Sequence, residues 1–437
     1  MMLINGGKLP LRGKVTVPGD KSISHRVVML GAIAEGVTEA TGFLPSDDAL
    51  STIRCFRQMG VHIEQDDTHV RVFGVGLHGL KAPLEALDAG NSGTTMRLLS
   101  GLLSGQSFGA ILTGDASLQR RPMRRVVDPL KKMGADIQAE SDGCAPLRIS
   151  PVDALHGIDY AMPVASAQVK SALLLAGLYA KEPVIVREKI ISRDHSENML
   201  TAFGADVRVE DGVVRLTPGG KLAGRSFSVP GDISSAAFVL AAAAMTPESD
   251  VTVQNVGVNP TRTGIIDALR SMGAHITLEN ERVEAGEARA DIHIEYRPLK
   301  GTMIFGELIP RLIDELPVLA FVAATAEGET IIADAAELRV KESDRLKMMA
   351  DGLLAFGVTC EERPDGLVIK GQQSGLTAPK MAMDPVGDHR MAMAFSVAAL
   401  AAKGTLRLLD HRCVAVSYPN FFTTLRTLGA DVEEADE

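Results

Sequence analysis

Six short phrases along this chain have one form: a helix-compatible run closes on Gly, usually followed by Ala or Val, and then by β-like residues. They read CFRQMGVHI, PLKKMGADI, MLTAFGADV, ALRSMGAHI, LLAFGVTC and TLRTLGADV. Their glycines are Gly60, Gly134, Gly204, Gly273, Gly357 and Gly429, spaced 74, 70, 69, 84 and 72 residues apart. A Gly just past a helix takes the left-handed conformation that closes it, and V/I-rich residues then suit a strand. Before each ending lie a segment of small apolar residues, a β-like run and a loop. The chain therefore reads as six copies of one helix-and-strand unit. The longer fourth interval predicts an inserted loop around Tyr296 to Glu307.

Two of the first helices open on nearly the same words, VPGDKSISHR from Val17 and VPGDISSAA from Val229, with a variant, DPVGDHRMAMAF, from Asp384. Each reads as a strand, a tight turn and an Asp near the N-cap of a helix. Position 230 divides the repeats three and three. Two similar lobes with a cleft between them are expected, one over 20–230 and the other combining 1–19 with 231–437. A length of 437 residues also exceeds what one ordinary core organises.

Composition narrows the function. A formal net charge of -10, no Trp and four Tyr leave no basic, aromatic surface for nucleic acid. Cys55, Cys144, Cys360 and Cys413 are widely separated and form no metal-ligand pattern, so free thiols in a reducing compartment are expected. The apolar runs Ala236 to Met245 and Pro317 to Ala326 fall short of a membrane span and read as buried helices. With no signal-peptide-like start, a cytoplasmic protein without membrane contact is expected.

Several helix starts carry chemistry. Lys21, Ser22, His25 and Arg26 gather at the first PGD turn, where backbone amides and cations suit a phosphate or carboxylate. NSGTTMR, from Asn91 to Arg97, offers Gly93 and hydroxyls at another start; its plainer reading is an Asn-capped helix. GDASLQRRPMRRV, from Gly114, supplies arginines, Arg121 among them, whose forks match a planar carboxylate. SAQVKSALLLAGL offers Ser166 and Gln168 as candidate contacts for a polyhydroxylated ring, and Lys170 reads as solvated. SRDHSENM adds Arg193 and His195, the latter better explained by a structural hydrogen bond. IDELP contributes Asp314, and LRVKESDRL brings Lys341, Glu342 and Arg345, unless that stretch is only an exposed helix face stabilised by i,i+4 pairs. Arg390 follows in DHR. Asp314 is a candidate acceptor of a hydroxyl proton, and Lys21 or Glu342 of proton exchange at carbon.

Together PGDKSISHR, NSGTTMR, RRPM, SAQVKSALLLAGL, SRDHSE, IDELP, LRVKESDRL and GDHR resemble the 5-enolpyruvylshikimate-3-phosphate synthase family over essentially the whole length, with phrasing closer to its class II branch. The resemblance implies an α/β, two-lobed enolpyruvyl transferase fold, each lobe made of three βαβαββ repeats with buried helices. It implies transfer of the enolpyruvyl group of phosphoenolpyruvate to the 5-hydroxyl of shikimate 3-phosphate, with loss of phosphate and without a metal or other cofactor. Carried over residue by residue, Lys21, Ser22, Arg26, Ser166, Ala167, Gln168, Arg193, Asp314 and Lys341 resemble shikimate 3-phosphate contacts. Lys21, Gly93, Arg121, Gln168, Arg345 and Arg390 resemble phosphoenolpyruvate contacts. Asp314 resembles the hydroxyl-facing base, and Glu342 with Lys21 the pair handling the methylene proton.

Two positions are special. Val416 in VAVSYPNFF stands where one branch of the family carries a Lys. Gly93 stands where a methyl group obstructs the inhibitor glyphosate in some relatives, so glyphosate is expected to fit. The similar UDP-N-acetylglucosamine enolpyruvyl transferases carry a reactive Cys in the loop before an RPxD phrase, whereas GDASLQRRPM has none. A noncatalytic repeat scaffold would have no use for so many charged helix starts. A monomer is expected, since both halves of the expected cleft come from one chain.

Overall fold

A computed structural model of the chain describes residues 1–7, 9–372 and 375–435. The repeat becomes six four-stranded sheets of one topology. In the first, Ser226–Ser228 runs parallel to Glu35–Thr41, which pairs antiparallel with His69–Val75, itself antiparallel to His62–Asp66. The order recurs with Leu87–Asp88, Ala110–Thr113, Leu147–Ser150 and Asp136–Gln138. It recurs again with Ile158–Ala161, Val184–Arg187, Val213–Thr217 and Asp206–Glu210. Two sheets borrow strands from the amino end: Arg12–Thr16 lies parallel to Asp250–Gly257, and Met2–Gly6 lies between Ala402–Leu408 and Asp431–Glu434.

The chain divides into two compact units, one of residues 19–229 with 284–287, the other of 1–18, 230–283 and 288–437. Each has its own apolar core. Among the helices of the first unit, Lys21–Ile33, Gly93–Leu103 and Ala167–Gly177 are largely buried, as are Ile233–Met245, Leu316–Thr325 and His389–Leu400 in the second. Every residue of Ile233–Met245 and of His389–Leu400 is buried. A helix apolar on all sides is stable in water only when other elements cover it all round. Gly101 lets two of these helices meet closely: a Cβ there would lie 2.0 Å from the Ala172 carbonyl oxygen.

The six repeat glycines all adopt left-handed backbone, with φ between 84° and 104°. The long fourth interval is accounted for differently from the expected loop at 296–307. Its extra length lies mainly in a hairpin, His275–Glu284 with Glu287–Glu295, strands of ten and nine residues where the preceding repeat has five and five. Residues 279–284 are exposed, so no apolar alternation marked them as strand.

Candidate active site

The unit of residues 19–229 brings three helix amino ends together. Asp20, Ser92 and Ser166 cap them, their side chains accepting from the amides of Ile23, Thr95 and Val169. Such ends present unpaired N–H groups and a positive dipole to an anion. Lys21, the first helical residue, donates to Asp48 Oδ2 at 3.1 Å. Arg26 lies in the second turn, buried, donating from Nε to Ser196 Oγ at 2.7 Å, from Nη2 to Ser171 Oγ at 2.8 Å and from Nη1 to the Ser22 carbonyl at 3.0 Å. Burial draws its guanidinium down to about 10, against the pull of Glu197, so it remains charged at neutral pH. Gln168 joins the other two ends: Arg97 Nη1 donates to its Oε1 at 2.5 Å, and its Nε2 donates to Thr94 Oγ1 at 3.1 Å. Arg121 Nη2 donates to Asn91 Oδ1 at 2.5 Å. A Cβ on Gly93 would lie 3.0 Å from Arg97 Nη1 and 3.5 Å from Arg121 Nη1, so the bare Cα faces both guanidiniums.

The other unit gathers its own set. Asp232 and Asp388 cap Ile233–Met245 and His389–Leu400, accepting from the amides of Ser234 and Arg390. Arg345, 1% exposed, donates from Nε and Nη2 to the two oxygens of Asp388 at 2.8 and 3.1 Å, and from Nη2 to Glu342 Oε2 at 2.7 Å. Burial alone would lower this guanidinium's pKa; Asp388, Glu342 and Asp314 outweigh it and raise it. Burial likewise works against the charge of Asp388, yet Arg345 holds its carboxyl below the usual range. Asp314 has three cations around it: Lys341 Nζ at 3.4 Å, Arg345 Nη1 at 3.7 Å and Arg390 Nη2 at 3.9 Å. Arg390 Nη1 also donates to the Asp314 carbonyl at 3.1 Å. Next to it, buried Glu315 accepts from Ser234 Oγ.

His25 supports the first set without being able to act as an acid near neutrality. Its Nδ1 lies 2.7 Å from Thr52 Oγ1, and Thr52 Oγ1 lies 2.8 Å from Thr95 Oγ1, beside the cap at Ser92. Full burial pushes its pKa from 6.5 down to about 3. Below pH 6.5 the unfolded chain takes up a proton that the native ring refuses, so stability falls with pH down to about 3. In urea titrations, His25→Asn is expected to remove a dependence of about 1.4 kcal/mol per pH unit in that window. A stability difference between the two proteins that stays flat from pH 6 to pH 4 would contradict this.

The sequence matches the family described as EPSP synthase (3-phosphoshikimate 1-carboxyvinyltransferase) over residues 6–425. The chain belongs to that family. A 3-phosphoshikimate 1-carboxyvinyltransferase of Methylococcus capsulatus is 54% identical over 431 residues, 98% of this chain and 97% of the relative. One of Alkaliphilus metalliredigens is 52% identical over 428 residues, 98% of this chain and 100% of the relative. The EPSP synthase from Acinetobacter baumannii superposes with a TM-score of 0.89 at 48% identity, covering 100% of both chains. The enolpyruvyl transferase NikO from Streptomyces tendae superposes at 0.80 with 20% identity, covering 99% of this chain and 98% of its own, a likeness of fold. The fold is thus that of the enolpyruvyl transferases, six βαβαββ copies in two units.

Lys170 is not solvated: it is 1% exposed and lies between two carboxylates, a placement that no local pattern announces. Ser92, not Asn91, caps the helix Gly93–Leu103. KESDR is not a plain exposed face, since Arg345 is fully buried. Arg97, within NSGTTMR, enters the site through Gln168, a partner 71 residues away that the local motif does not show. His195 makes the structural bond expected of it, Nδ1 to Glu287 Oε1 at 2.9 Å. Val416 ends a short 3-10 helix, His411–Val416, and is half-buried.

Proposed function

We propose that this chain carries out the reaction of its family, in which the shikimate 3-phosphate 5-hydroxyl adds to C2 of phosphoenolpyruvate and phosphate then leaves. The observation that carries the reading is the joining of three capped helix amino ends by Arg26, Arg97 and Gln168, an anion receptor built into an acidic chain. Ser22, Arg26, Ser166, Ala167, Gln168 and Arg193, with Lys341, receive shikimate 3-phosphate. Gly93, Arg121, Arg345 and Arg390, with Lys21 and Gln168, receive phosphoenolpyruvate. Asp314 orients the 5-hydroxyl and takes its proton as the C–O bond forms. Lys21 or Glu342 delivers a proton to the methylene carbon, giving a tetrahedral intermediate. Loss of phosphate, with return of that methyl proton to the enzyme, restores the double bond in the product. Cations fixed in advance stabilise the charge that develops along this path. Changes in either cluster are therefore expected to impair the same reaction.

The enzyme is further proposed to act as a cytoplasmic monomer in the shikimate route to aromatic amino acids. Its four cysteines are free, and no helix among the described residues is long and apolar enough to cross a membrane. The deciding assay mixes the purified protein with shikimate 3-phosphate and phosphoenolpyruvate and follows phosphate release and product mass. Release is expected with this acceptor and absent with UDP-N-acetylglucosamine; the reverse result would overturn the assignment. In the same assay glyphosate is expected to compete with phosphoenolpyruvate, because Gly93 places no methyl group before Arg97 and Arg121. An absence of inhibition at millimolar glyphosate would refute that point alone.

A further inference from the structure

Lys170 sits in the second turn of the helix Ala167–Gly177, inside the protein. Its Nζ donates to Glu188 Oε2 at 2.7 Å, pairs with Glu197 Oε1 at 2.6 Å and reaches the Ser192 carbonyl at 3.4 Å. Glu188 Oε1 in turn accepts from the Ser192 amide at 3.2 Å and the Ser192 hydroxyl at 2.5 Å. One ammonium thus ties together a helix, the loop after strand Val184–Arg187 and the first turn of helix His195–Phe203. Beside this knot, the hydroxyls of Ser171 and Ser196 lie 2.6 Å apart, and both accept from Arg26. Burying three charges is costly, and an apolar filling would serve packing equally well. What the charged knot adds is geometry: each segment it joins carries, or is bonded to, a group assigned to shikimate 3-phosphate. Ser166, Ala167 and Gln168 precede Lys170 on its own helix, Arg193 follows Ser192, and Arg26 is fastened to Ser196.

We propose that Lys170 is a positioning residue for the acceptor substrate: it holds the Arg193 loop against the amino end of the helix Ala167–Gly177 and offsets two carboxylates that would otherwise repel the incoming phosphate. The inference deepens the functional reading above and rests on its assignment of Arg193 and Ser166–Gln168. Without Lys170, Glu188 and Glu197 would repel each other and Glu197 would draw on Arg26, displacing the loop and weakening the anion receptor.

The test measures kcat and both KM values for Lys170→Met, Lys170→Arg, Ser192→Ala and the reference variant Arg193→Ala, with folding checked by circular dichroism. Lys170→Met is expected to raise KM for shikimate 3-phosphate roughly tenfold, while kcat and KM for phosphoenolpyruvate stay within about threefold. Lys170→Arg restores most of the loss, since a guanidinium also bridges two carboxylates. Ser192→Ala shifts the same KM in the same direction by less. If Arg193→Ala raises that KM and folded Lys170→Met does not, the positioning role is wrong while the receptor assignment stands. Equal rises in both KM values would also overturn it, as the mark of general loosening. If Arg193→Ala has no effect, the receptor assignment itself falls, and this inference with it. Should Lys170→Met fail to fold, Ser192→Ala decides: an unchanged KM for shikimate 3-phosphate refutes the proposal.

Discussion

Replacing Arg345 by Met is expected to destabilise the protein by about 3–5 kcal/mol, the usual cost of stranding a buried charge. Asp388 is fully buried, and its two oxygens take the Nε and Nη2 bonds of Arg345 while Oδ1 also caps its own helix. Removing the guanidinium leaves that carboxylate with the Ser343 hydroxyl and the Arg390 amide, but without the cation that holds it ionised. Protonating it would relieve the charge and weaken the cap, so either outcome costs stability. Urea unfolding at neutral pH measures the loss. The double variant Arg345→Met/Asp388→Asn is expected to recover much of it, because Asn still caps and no lone charge remains. A loss below about 1 kcal/mol in the single variant would mean that the pair contributes little.

Asp314→Asn is expected to lower kcat by about 10² to 10⁴, the range over which a positioned general base contributes. KM for either substrate should change little, since the lost interaction develops with proton transfer in the transition state. The side chain keeps its size and can still accept from Lys341 Nζ, 3.4 Å away in the native protein, so the change is mainly one of charge and basicity. Lys21→Met, on the other unit, is expected to impair the same phosphate release; it also leaves Asp48 without the bond at 3.1 Å. If Asp314→Asn retained near-native turnover in a phosphate-release assay, another group would have to take the hydroxyl proton.

Much of this architecture is written locally. The caps at Asp20, Asp232 and Asp388 bond to amides two or three residues onward, and the closing glycines need no distant partner. Such features depend on a few neighbouring residues and survive translation from sequence to structure with little help. The extended hairpin His275–Glu284 with Glu287–Glu295 did not, because its exposed length carries no apolar period. Candidate groups for the chemistry were also legible, since Lys, Arg and Asp at helix starts stand out beside long apolar runs.

What the chain alone determined, then, is its sixfold unit, the polarity of its helix starts and the residue types available to meet two anions. Which charges are buried, and against what, was decided by tertiary contacts. Arg345 finds Asp388 forty-three residues away, and Lys170 finds Glu188 eighteen residues on, in the next strand-to-helix loop. A charged side chain carries no local signal of whether it will face water or a partner. Its fate depends on whether folding brings an opposite charge near enough to offset the loss of hydration.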